Sequence, residues 1–149
     1  MIAAAASLVA LAITVSPGTA SDGTLRAAVL TWSTRIEGDF RPLAQAASKA
    51  LAGRGTGALE RSVQTIDRHV GGYTRAVAAA KPSSAKGRNA KQIAQRAGQE
   101  YAAMAAKLDM FARDLRSRSY LAAAHAFSAA ALHFDKGLKL ADHARQLLS

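Results

Sequence analysis

Four histidines, His69, His125, His133 and His143, have the widest chemical reach in this sequence, because imidazole acts near neutral pH as a base and as a metal ligand. Their spacing does not favour a metal. None stands four positions from another, and neither Glu-x-x-His nor His-Glu-x-x-His occurs, so the patterns that place ligands on one helix face are missing. With Phe127 and Phe134 taken as core positions, His125, His133 and His143 fall on outer or flanking faces of the last helix, and His69 borders the core at Val70. Met104 or Met110 with a histidine would supply axial ligands to haem, but methionine at a helical seam is ordinarily core. The chain has no cysteine, which excludes disulfides, thiolate metal sites, thiol nucleophiles and thioether haem attachment.

Catalytic patterns are equally absent. No serine stands in Gly-x-Ser-x-Gly, and no Gly-x-x-x-x-Gly-Lys occurs to cradle a phosphate. Glu37 with Arg41, Asp109 with Arg113, Asp114 with Arg118 and Asp135 with Lys139 are acid-to-base pairs four apart, the favourable order on a helix. They leave no opposed carboxylates for acid–base work. The reading is therefore a protein that is not an enzyme, with no cofactor and no metal site.

What the sequence does supply is positive charge. Twenty Lys and Arg against ten Asp and Glu give a net charge of +10, a balance that attracts polyanions at long range. Between Asp67 and Glu100 the cations Arg68, Arg75, Lys81, Lys86, Arg88, Lys91 and Arg96 follow one another with no acid among them. Lys81, Lys86, Arg88, Lys91 and Arg96 are the expected anion-binding residues, grouped around a mobile loop at one end of the fold. No aromatic residue lies between positions 74 and 100, so base stacking is not expected and binding to nucleic acid would be blind to sequence. Wall polymers, a phospholipid membrane surface and nucleic acid share the required chemistry. A solvated helix face is the bland counterpart of the same charge run.

These residues must be positioned by helices. Half the sequence is hydrophobic but only 5% is aromatic, so the core is built of Ala, Leu and Val, and the helices approach closely. Residues 1–20 resemble an export signal, with an apolar run over residues 2–15 followed by Ser16, Pro17, Gly18 and Ala20; the start carries no Lys or Arg. Residues 21–149 then form one domain, which suits a secreted or cell-envelope location. Its first helix is expected from about 22 to 52, with Leu25, Val29, Trp32 and Ile36 inward, and with a phase slip and kink at Gly38, Asp39 and Pro42. Glycines 53, 55 and 57 mark a turn. The second helix, to about 80, places Leu59, Val63, Ile66, Val70, Tyr73 and Val77 inward, and Gly71 and Gly72 allow a close neighbour. Residues 81–89 read as a loop.

The third helix carries Ala97, Tyr101, Met104, Leu108, Phe111 and Leu115 at steps of four and three. Unbroken, it would run to residue 148 and reach roughly 90 Å at 1.5 Å per residue. A turn is therefore expected at residues 117–119, and a fourth helix with Ala124, Phe127, Ala131, Phe134, Leu138, Ala141 and Leu148 inward. Four helices of similar length make an all-α, antiparallel up-down-up-down bundle. Residues 119–134 carry no formal charge, and Leu132, Leu140 and Leu147 lie off the inward seam, so this Ala-rich helix is a candidate homodimer face. The competing function is a carrier of an apolar ligand or haem, with Tyr73, Tyr101, Met104 and Phe127 lining its site.

Overall fold

A computed structural model describes residues 17–149, with side chains from residue 21 onward. The segment expected to be an export signal thus lies outside the described residues, apart from the backbone of residues 17–20. Four helices account for most of the rest: α1 (Pro17–Leu51), α2 (Gly57–Ala79), α3 (Ala85–Arg116) and α4 (Tyr120–Leu147). Among the described residues there is no strand.

The α2 seam is as the sequence dictates, since Leu59, Val63, Ile66, Val70, Tyr73 and Val77 are all buried. In α1 the inward face resumes at Phe40, Leu43 and Ala47 as expected. Leu25, Val29, Ser33, Ile36, Leu43 and Ala47 are buried, Phe40 packs partly against them, and the helix continues through Pro42. A 3.6-residue helix drifts from a strict heptad by about 20° every seven residues, so an even burial pattern over 35 residues needs extra steps of four. Ser33 takes the inward place expected of Trp32. Trp32 moves to the flank, where its ring covers Gly72 so closely that no Cβ fits there, and stands 6.1 Å from the His69 ring.

α4 departs most from expectation. The buried residues are Ala123, Ala126, Ala130, Gly137, Ala141 and Ala144, one position before the expected seam over the first half. Ala124, Phe127 and Ala131 are exposed, and Phe134 is half-buried. The cause is size. A face of alanine and glycine lets α4 settle onto α3, whose own face contains Ala90, Ala94, Ala97, Ala105 and Ala112, and these two helices share the most extensive interface in the molecule. A Cβ built on Gly137 would lie 2.6 Å from the Tyr101 ring. Leu140 and Leu147 pack against the core as well, so of the three leucines assigned to a dimer face only Leu132 is exposed.

Contacts along neighbouring helices run in opposite order. Trp32 meets Gly72 while Asp39 meets His69; Glu100 meets His133 while Phe111 meets Phe127; and Phe40 stacks on Phe134 with ring centroids 4.1 Å apart. α2 and α4 do not touch, as expected of diagonal helices in a bundle. The turn at residues 52–56 uses left-handed Gly53 and Gly55. At residues 117–119 the expected turn forms without glycine: Arg118 itself takes φ 59°, and the Ser119 N–H donates to the Asp114 carbonyl at 2.8 Å.

Packing this close makes a sharp expectation. Gly137→Val should lower stability by about 1–3 kcal/mol, the usual cost of overpacking a filled core. Gly38→Ala, inside a continuous α1 with open space around it, should raise stability by about 0.5–1 kcal/mol. Urea unfolding measures both, and an unchanged midpoint for Gly137→Val would mean that α3 and α4 are further apart than described.

Candidate functional site

The basic run occupies the end of the bundle where α2 stops and α3 starts. The connection is shorter than the sequence suggested, because α3 begins at Ala85 and takes in Lys86, Gly87 and Arg88. Ser84 is the reason: as N-cap, its hydroxyl accepts from the Gly87 N–H at 2.8 Å. Asp22 of α1 then closes the end, accepting from the Ser84 hydroxyl and, at 3.2 Å, from the Ser83 N–H. Gly87 gives the room for this, since a Cβ there would collide with the Asp22 carboxylate and Pro82. The expected mobile loop is thus a tied connection over residues 80–84.

The five expected anion-binding residues divide into two groups. Lys91 is half-buried, and its ammonium donates to the Ala78 and Ala80 carbonyls at 2.8 and 2.6 Å, satisfying the C-terminal end of α2. Arg88 donates to the Ser83 carbonyl at 2.6 Å. These two hold the connection in shape. Lys81, Lys86 and Arg96 are exposed, with no acid on their own stretch of chain. The acid-free run in sequence is not an acid-free surface, because α1 brings the Asp22 carboxylate to it. That contact joins residues about sixty positions apart, and no local spacing rule reveals it.

The histidines and acids pair across helices rather than along them. His69 Nδ1 lies 2.6 Å from the Asp39 carboxylate, and His133 Nδ1 lies 2.7 Å from that of Glu100. Arg116 bridges to Glu60 at 3.0 Å. Of the expected pairs four apart, Asp109–Arg113 and Asp135–Lys139 form, while Arg118 has left the helix that would bring it to Asp114. Among the described residues no three His, Asp or Glu side chains gather as a metal cluster.

Of the residues named for a ligand-lined interior, the structure joins three and separates one. Tyr73, Tyr101 and Met104 are fully buried, and the two tyrosine rings meet edge-on with centroids 5.1 Å apart. Tyr73 donates to the Ala94 carbonyl at 3.0 Å, and Tyr101 reaches the Ser33 hydroxyl at 3.5 Å. Phe127 instead borders a surface groove of about 310 Å³ between the end of α1 and the start of α4. Two further shallow grooves, of about 540 and 460 Å³, run between α2 and α3 over the small residues Gly98, Ala102 and Ala105.

Compared with protein families, with curated proteins and with solved structures, the chain matches none.

Burial sets the titration of the core phenols. It pushes Tyr101 up from 10.0 to about 12, against a smaller lowering by the Ser33 hydrogen bond, and it raises Tyr73 further, with Tyr101 adding to the effect. Because the folded protein keeps protons that the unfolded chain releases above its ordinary phenol pKa, this contribution is complete below about pH 10 and lost as pH rises through 12. Urea midpoints should therefore fall above about pH 10. Tyr101→Phe should make that fall shallower than in the unaltered protein, and parallel curves would refute the assignment.

Proposed function

We propose that the chain is an exported, non-enzymatic binding protein, an antiparallel up-down-up-down four-helix bundle whose basic end contacts an anionic polymer. The observation that carries this reading is the division of labour at the α2–α3 connection. Lys91 and Arg88 satisfy backbone carbonyls and fix the connection, while Lys81, Lys86 and Arg96 remain exposed beside it. A tied scaffold that presents flexible cations suits a repeating phosphate, sulfate or carboxylate chain, for which charge spacing matters more than shape. The net charge of +10 works in the same direction at longer range. Export rests on the apolar run at residues 2–15 and the small residues that follow it.

Lys81→Glu, Lys86→Glu and Arg96→Glu in one protein should elute from heparin resin at clearly lower salt. The dependence of binding on log salt should flatten by about one unit for each lost contact. Arg88 and Lys91 are left in place so that the connection keeps its shape. Elution unchanged by the triple variant would refute the assignment.

A further inference from the structure

The opposite end of the bundle combines two features that the α2–α3 end does not. Exposed apolar side chains gather there: Leu51 at the end of α1 is 58% exposed, and Tyr120 and Leu121 at the start of α4 are 57% and 74% exposed. Leu51 and Tyr120 border the same groove, with Phe127 two turns further along α4. Cations surround them. Residues 40–59 and 115–134 contain no acid at all, and the helix ends and turns at this end carry Lys49, Arg54, Arg116 and Arg118. Arg116 is held by Glu60, and Asp109 by Arg113; Asp114 is the remaining nearby carboxylate.

We propose that this end docks on an anionic phospholipid surface, with Leu51, Tyr120 and Leu121 entering the headgroup layer while Lys49, Arg54 and Arg118 meet lipid phosphates. Charge chooses this occupant over a second copy of the chain. A two-fold interface sets a patch against itself, so pairing here would bring these cations onto their own duplicates with little acid to offset them. Docking is peripheral, since none of the described helices is long and apolar enough to cross a membrane.

The cysteine-free chain allows a site-specific test. Single cysteines placed by Ser119→Cys and Asn89→Cys, one at each end, are labelled with a polarity-sensitive fluorophore and mixed with phosphatidylglycerol or phosphatidylcholine vesicles. The expected result is a blue shift at position 119 with phosphatidylglycerol only, and none at 89. Adding Leu51→Ser and Leu121→Ser to the position 119 protein should weaken vesicle binding by about tenfold or more; both leucines are exposed, and far-UV circular dichroism verifies the fold. Vesicle binding without a shift at 119, a shift at 89 alone, a shift at 119 that grows with protein concentration in the absence of lipid, or undiminished binding by the double serine variant would each overturn the proposal. Reversal of Lys81, Lys86 and Arg96 should leave the shift at 119 intact, so failure here is distinguishable from failure of polymer binding at the other end.

Discussion

The spacing between α3 and α4 is the constraint on which the rest of the molecule depends, and the Tyr101 ring sets it. The ring lies against Gly137, where even a methyl group would collide, and meets the Tyr73 ring edge-on. Because the helices meet through alanine and glycine, the interface gains from close backbone approach rather than from large side chains. Each residue therefore contributes little alone, and the fold needs a long run of small residues in register. The two phenol groups are affordable inside this core because each has a hydrogen-bonding partner, Ala94 for Tyr73 and Ser33 for Tyr101.

Charge is organised by the same geometry. Asp39, Glu60 and Glu100 face partners on other helices and Asp22 faces the α2–α3 connection, so several of the few acids are used in joining the bundle. Two of those partners are histidines rather than lysine or arginine. Acids are thereby drawn between helices while many cations stay outside, and the surface is more basic than an even scatter of the same residues would make it. The two ends then differ in what accompanies the charge: a tied connection at one, exposed leucine and tyrosine at the other.

Much of this was legible in the sequence, for reasons that particular elements make clear. The α2 seam was readable because its inward residues are large and its outward ones polar. The turn before Tyr120 was found from helix length alone, since Arg118 gives no local sign of adopting a left-handed conformation. The first half of α4 lies one residue from the phase that Phe127 and Phe134 indicate, because in a close-packed pair the smallest residues mark the contact. Residues 81–89 read as a loop, yet Gly87 belongs to the first turn of α3 and opens it to Asp22. Contacts such as Asp39 with His69 and Glu100 with His133 span about thirty positions and leave no periodic trace. The exposed cations were legible by type, but the partition of Lys91 and Arg88 into structural roles needed the position of the α2 carbonyls.

Trp32, displaced from the core by Ser33, has a consequence of its own. It is the chain's single tryptophan, and it sits on the α1–α2 side, over Gly72, tilted toward the His69 ring, with the Arg35 guanidinium 4.6 Å from its ring centre. Its emission therefore reports on the packing of α1 against α2, where the indole lies over Gly72 and beside His69. The molecule thus carries one built-in optical gauge, read at the contact between its first two helices.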